Sequence, residues 1–399
     1  MNQNVIVPVA RATHPGPGND PVSLRSRISG DHLAAAVPAS SAGSRFLGQA
    51  RDIVAVVWRE LRLLVLIGSV SLGLAVLLRY GLGIPIPLDR ITVPSRMERA
   101  LRYAMLLGPF VIAIGIARYR WTLRRPDGGP VRGLAGWLQA FASVRLEALA
   151  SRAVLAGATL VLLAVLLSIF ALWKASIPLL SPWHWDVTFM NLDRWLHGGV
   201  LPQDLTRRWF GTSATVFLDQ MYFTWFRLLA LFAVWQSFRP PSPSRIRTLL
   251  SLALAYALLG NLGAVLLSSG GPVYFERLVG MPSPYADHAA YLAAIPDLHA
   301  TQIQGRILEW LENDRYVPFG TMSAMPSMHV AVATVMALAC GERNRWLGLV
   351  GWIHLLLILV GSVHLNWHYA VDGYAAILGT WLIWRLSGRV VRATRKRLP

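Results

Sequence analysis

From Leu61 onward the sequence is built of long apolar runs, and eight of them can be read as bilayer spans, at roughly 61–80, 101–120, 152–172, 216–235, 248–267, 326–341, 347–365 and 367–385. About 20 apolar residues carry a helix across the hydrocarbon. The expected fold is therefore all-α, a polytopic membrane protein. Composition agrees: 54% of the residues are hydrophobic, 15% are charged and the mean hydropathy is +0.46, which excludes a disordered, collagenous or ordinary soluble chain. The single cysteine, Cys340, lies in an apolar run and excludes disulfides and a Cys-rich metal site.

The charge pattern orients the spans. The formal net charge of +18 comes from 38 basic and 20 acidic residues, and every basic residue except Lys174 and Lys396 is arginine. In so apolar a chain this excess faces lipid headgroups rather than nucleic acid. With an inside N-terminus, every second connection is basic, from Arg51, Arg59 and Arg62 through Arg239, Arg245 and Arg247 to the cluster Arg385–Arg397. Basic short loops mark the cytoplasmic side. Eight spans with both termini cytoplasmic follow, with the longer acidic segments 173–215 and 268–325 outside. Six spans with two re-entrant or interfacial helices remain the alternative.

Residues 1–50, rich in Pro, Gly, Ser and Arg, are expected to be a cytoplasmic tail; residues 51–149 give two N-terminal transmembrane helices and an interfacial connector. The Gly-Pro-rich stretch 124–133 marks the boundary of a six-helix core over 150–385, followed by a basic tail at 386–399.

Chemistry concentrates in two short segments. His329 opens the sixth span in AMPSMHVAV, while His364, His368 and Asp372 stand four apart in SVHLNWHYAVD. On a helix that spacing aligns them on one face. The topology brings all of them to the outer boundary, where ionisable side chains in apolar helices point to function. A single histidine there could be a polar anchor. A histidine held by a carboxylate one turn away suits a nucleophile or general base, and a second histidine can protonate a leaving alkoxide. Pro326 and Ser327 mark a helix start whose free N–H groups suit an anion. The set suits a phosphoryl group. His364, His368 and Asp372 are also possible metal ligands, but no metal is expected where histidine and arginine can offset the charge.

Pro326-Ser327-Met328-His329 resembles the second motif, Pro-Ser-Gly-His, of the type 2 phosphatidic acid phosphatase (PAP2) superfamily, and His368 with Asp372 resembles the His-x-x-x-Asp of its third motif. The resemblance covers residues 150–385 and implies a six-helix PAP2-like core to which two extra N-terminal transmembrane helices are added. It also implies an enzyme that needs no cofactor, because the family chemistry uses the protein's own imidazole.

Three departures matter. The family's phosphatases carry Ser-Arg seven and six residues before the second histidine, where this chain has Gly361 and Ser362. The phosphate-holding arginine is thus missing. The His-Tyr-x-x-Asp sequence, with Gly-Pro-Val-Tyr-Phe in the preceding outer loop, resembles the inositol phosphorylceramide synthase and sphingomyelin synthase-like branch, whose members transfer a phospho-headgroup between lipids. The first motif, Lys-x6-Arg-Pro, is only partly matched by Lys174 with Ser181 and Pro182. Arg277 in the outer loop is the better-placed cation, Tyr274 a hydrogen-bond donor, and Arg227 a charge within a span that could line a cavity. Asp186, Asp193, Arg194 and His197 could recognise a headgroup or order their loop, with ordering slightly favoured.

The expected function is a membrane phosphotransferase acting through a phosphohistidine on His368, oriented by Asp372, with His329 as acid and base. His364, Arg277, Tyr274, Arg227, Lys174 and Ser327 are the expected substrate-binding residues. The partners are a phospholipid donor, a lipid or alcohol acceptor and the bilayer of the plasma membrane, with no nucleic acid. A lipid phosphate phosphatase, and a non-catalytic transporter or scaffold, are the alternatives.

Overall fold

The computed structural model describes residues 39–88, 133, 146–312 and 323–396. The chain divides into residues 1–48 and residues 49–399, and the second unit carries the site. The expected tail up to residue 38, the expected span at 101–120 and most of the connector lie outside the described residues.

Among the described residues the regular structure is helical. Helix α1 spans Ala39–Gly81, beginning inside the stretch expected as tail, and α2 spans Leu146–Leu180. Short helices α3 (Asp186–Leu196) and α4 (Pro202–Trp209) lead to α5 (Thr212–Phe238). Helix α6 (Pro243–Leu254) continues through a π-helical stretch, Ala255–Gly263, to Leu266. After α7 (Phe275–Val279), α8 (Ala286–Ala293) and α9 (His299–Glu312) come α10 (Met328–Arg343), α11 (Arg345–His364) and α12 (Ala370–Lys396). Local signals set several ends. Ser242 accepts the Arg245 amide at 3.2 Å ahead of Pro243, and Asn344 accepts the Trp346 amide at 2.8 Å, each a side-chain N-cap.

Among the described residues five helices are long and apolar enough to cross a bilayer: Ala50–Gly81, Ser151–Leu180, Thr212–Phe238, Pro243–Leu266 and Arg345–His364. They answer to the first, third, fourth, fifth and seventh expected spans, and the chain is an integral membrane protein. The sixth and eighth expected spans fall on α10 and α12, which are not among these five. Helix α10 has only 16 residues, about 24 Å, and Arg385, Arg389 and Arg392 occupy the second half of α12. The reason for the short helix is its position. Val330, Ala331, Val332, Ala333, Val335 and Ala337 are wholly buried, so α10 is solvated by α5, α6, α11 and α12 rather than by lipid.

Small residues bring α11 onto this central helix. A Cβ on Gly348 would lie 2.8 Å from the Gly341 Cα, and one on Gly351 equally close to the Ala337 Cα. Such close backbone approach is how helices gain packing in lipid. At one end of the bundle the buried Arg245 donates to Glu60 Oε2 and Thr159 Oγ1, both at 2.7 Å, and to the Gln236 carbonyl at 2.9 Å, joining α1, α2, α5 and α6. Nearby, Arg247 pairs with Glu342 and lies over the Trp384 ring. The other end holds the histidines.

Candidate active site

The site begins where α11 stops. His364 is the last residue of α11, Asn366 takes a left-handed conformation (φ 64°), and α12 starts at Ala370. The continuous helix that would align His364, His368 and Asp372 on one face is therefore not formed. The Trp367 and His368 amides both turn back to the Ser362 carbonyl, at 3.0 and 3.1 Å, which fixes the break.

The four-residue spacing of His368 and Asp372 nevertheless makes a contact. Asp372 sits in the first turn of α12 and reaches back, its Oδ2 accepting the Tyr369 amide at 3.0 Å and lying 3.1 Å from His368 Nδ1. This is the carboxylate half of a capping box, with the imidazole added as a further donor. With Nδ1–H given to Asp372, the lone pair of His368 is left on Nε2.

His329 is the second residue of α10. Its ring lies 4.8 Å from that of Tyr222, 4.4 Å from Trp225 and 5.6 Å from Phe226, centroid to centroid, and Trp225 Nε1 donates to its carbonyl at 3.0 Å. The Nε2 atom of His329 is buried with no hydrogen-bond partner among the described residues. His368 and Lys174 both act on it electrostatically. The Ser327 amide donates to the Asp372 carbonyl at 3.2 Å, joining the start of α10 to the first turn of α12. His329, His368, Asp372, Ser327 and Lys174 are thus brought to one region.

The other expected binding residues are placed differently. His364 is fully buried, its Nε2 2.8 Å from Thr215 Oγ1, its Nδ1 3.0 Å from Thr206 Oγ1, and its carbonyl 2.7 Å from His288 Nε2. Both ring nitrogens are occupied by the protein, so its role is to tie α11 to α4 and α5. The Tyr274 hydroxyl donates to the Gln304 carbonyl at 3.0 Å. Arg277 on α7 and Arg227 on α5 are exposed, and no described contact joins either to the histidines.

The two buried carboxylates Asp186 and Asp193, for which ordering of the loop is the favoured expectation, have definite partners. Asp193 accepts the Ala370 and Val371 amides at 2.8 and 3.0 Å, capping α12 from outside the helix. Asp186 accepts the Gly270 and Gly271 amides, both at 2.9 Å, and the Tyr369 hydroxyl at 2.7 Å. They order loops, and their seven-residue spacing, which places both on one face of α3, was the available signal. Burial pushes Asp193 up to about 6 against the pull of the two amides, and it also raises Asp186. Gly271 has φ 87°, and a Cβ there would meet the Trp367 carbonyl at 2.7 Å. Only glycine permits both this conformation and this approach.

The groups available for chemistry are a carboxylate-oriented imidazole and, on the segment bonded to the same turn, a second imidazole. No group of three or more potential metal ligands occurs among the described residues. The sequence profile of the PAP2 superfamily matches residues 187–386, a range that contains each of these residues except Lys174 and Asp186. No curated protein and no solved structure matches the chain.

Proposed function

Because the chain belongs to the PAP2 superfamily, whose members are lipid phosphatases and phosphotransferases, we propose that it moves a phospho-headgroup from a phospholipid to a lipid alcohol. The observation that carries this reading is the 3.1 Å contact between His368 Nδ1 and Asp372 Oδ2, with His329 within electrostatic reach. His368 Nε2 attacks phosphorus and the bond to the leaving oxygen breaks, while the His329 imidazolium protonates that oxygen. The acceptor alcohol then gives its proton to neutral His329, and its oxygen displaces His368 from the phosphohistidine. Asp372 holds the His368 tautomer and stabilises the charge that forms on the ring. Ser327 and the first amides of α10 face the phosphoryl oxygens, and Lys174 offsets charge from α2. The active site faces outward.

Transfer is favoured over hydrolysis by the position of Ser362. Where the family's phosphatases carry arginine, Ser362 is fully buried and donates to the Leu359 carbonyl at 2.8 Å. The likeness of the His-Tyr-x-x-Asp and Gly-Pro-Val-Tyr-Phe segments to headgroup-transferring relatives points the same way. The test is His368→Ala, which should abolish transfer from phosphatidylinositol to a lipid alcohol while thermal unfolding stays near wild type. Brief exposure to labelled donor should leave acid-labile phosphate on the wild type and none on the variant. Full activity in the variant removes His368 from the reaction. Inorganic phosphate as the main product, with lipid alcohol in excess, makes the enzyme a phosphatase.

A further inference from the structure

The phosphotransferase reading leaves one requirement unmet, since no guanidinium is placed by a described contact to hold the phosphoryl oxygens. Arg227 and Arg277 are exposed and Ser362 is turned to its own helix. Buried polar atoms without a partner among the described residues nevertheless occur on the two segments that carry the histidines and on the loop bonded to one of them. They include Ser269 Oγ and Trp367 Nε1, beside Ser327 Oγ, His329 Nε2 and Asp372 Oδ1. Ser269 is wholly buried and Trp367 is 8% exposed. Buried polar groups left unpaired are uncommon in folded proteins, and each asks for an explanation such as water, an ion or a catalytic role.

The backbone explains why these donors meet. The Ser269 carbonyl accepts the Ala324 amide at 2.8 Å, tying the loop before Gly271 to the segment that leads into His329. A Cβ on Gly271 would lie 2.7 Å from the Trp367 carbonyl and 3.3 Å from the Ala324 Cβ, so three segments (268–271, 324–327 and 367–372) touch at one place. The Trp367 side chain belongs to the same core cluster as Tyr222 and Trp225, the rings that flank His329. Ser269 and Trp367 therefore stand at the junction of the segment bearing His329 and the segment bearing His368.

The geometry points to an uncharged cradle in which the Ser269 hydroxyl and the Trp367 indole N–H hold the transferring phosphoryl group in place of an arginine. Neutral donors satisfy phosphoryl oxygens without neutralising them. Three buried carboxylates converge on the residues that follow His368: Asp372 accepts the Tyr369 amide at 3.0 Å, Asp186 the Tyr369 hydroxyl at 2.7 Å, and Asp193 the Ala370 and Val371 amides at 2.8 and 3.0 Å. A dianionic phosphomonoester would meet more of this like charge at low dielectric than the single cation Lys174 offsets, while a monoanionic phosphodiester would meet less of it. The cradle thus selects the phosphodiester of a headgroup-bearing lipid. This inference rests on the phosphotransferase reading for the identity of the donor, but the oxyanion site it describes can be measured by itself.

The experiment uses the purified full chain with Ser269→Ala, Trp367→Phe and both together, each checked for wild-type thermal unfolding. Orthovanadate, a monoanion near neutral pH, is titrated calorimetrically, and transfer from phosphatidylinositol is measured in parallel. A hydrogen bond to a charged group is strong enough that each single change should weaken vanadate by about tenfold or more. The kcat/KM for the donor should fall in step while the KM for the lipid alcohol is unchanged, whereas a merely structural role would move both. Wild-type vanadate affinity in the double variant, or no vanadate binding by the wild type, overturns the cradle whatever the turnover. Weakened vanadate in the variants together with a wild type that transfers nothing would keep the cradle and remove the phosphotransferase reading.

Discussion

Asp186 and Asp193 serve the site without touching phosphorus: each spends its oxygens on amides of the segments that carry the histidine and the glycine loop. His364 and His288 form a comparable support beneath His368. His288 is 1% exposed, donates from Nε2 to the His364 carbonyl, and is held below the ordinary histidine range, chiefly by burial and further by Arg207, against the opposing pull of the hydrogen bond and Asp204. The unfolded chain binds a proton near pH 6.5, and the folded chain only at lower pH. The stability contributed by neutral His288 is therefore present above pH 6.5 and is lost as pH falls through the folded value. Thermal unfolding between pH 8 and 5 should show the wild type losing stability more steeply than His288→Gln. Parallel curves would remove His288 as the responsible group, and Asp193, whose raised value gives the opposite sign, cancels in the comparison. The His368–Asp372 pair was legible from spacing alone. The role of His364 was not, because it depends on Thr206 and Thr215, some 150 residues away in sequence.

At the scale of elements, the short central helix and the buried ion pair do different work. Helix α10 needs only small apolar residues, because helices rather than lipid surround it, and its N-terminus can thus lie where α6, α11 and α12 converge. The π-helical stretch Ala255–Gly263 packs directly behind it, a Cβ on Gly263 lying 3.3 Å from Pro326 and one on Gly260 3.0 Å from the Met328 sulfur. Such interruptions of α-helices are frequent at functional sites. Far from the histidines, α1 is fastened by the Glu60–Arg245 pair, with side chains 4% and 0% exposed. Removing one partner of a buried pair strands the other charge and costs about 3–5 kcal/mol, whereas a half-exposed pair such as Arg247 with Glu342 contributes up to about 1 kcal/mol. Glu60→Ala should therefore lower the unfolding temperature in detergent far more than Glu342→Ala. Equal shifts would show that α1 is held by its apolar contacts with α2 alone.

The whole molecule has two chemically distinct ends. One carries Arg245, Arg247, Glu60 and Glu342, the other the histidines, Asp186 and Asp193, and exposed tryptophans occur towards both: Trp58 and Trp346 at the first, Trp195 and Trp209 at the second. Tryptophan at both boundaries is the usual pattern for a bilayer protein. The basic end is expected in the cytoplasm. In a Cys340→Ala background, cysteine at Asp287 should react with a membrane-impermeant maleimide in intact cells, and cysteine at Arg392 should not. The reverse labelling would invert the topology and turn the active site inward.

What the sequence determined by itself is what depends on nearby residues: apolar runs long enough to span, the basic loops, and a histidine and carboxylate four residues apart. These follow from one-dimensional patterns because helix formation in lipid is local, each backbone group being satisfied within its own segment. The tertiary structure decided which of the candidate residues share a site. It drew Ser327 and Lys174 toward the histidines, turned Arg227 and Arg277 outward, engaged Tyr274 and His364 in hydrogen bonds within the protein, and made Asp186 and Asp193 supports rather than headgroup contacts. Those outcomes rest on contacts between segments as far apart as Asp186 and Tyr369, and such contacts are set by how the helices pack around α10, which no spacing along the chain encodes.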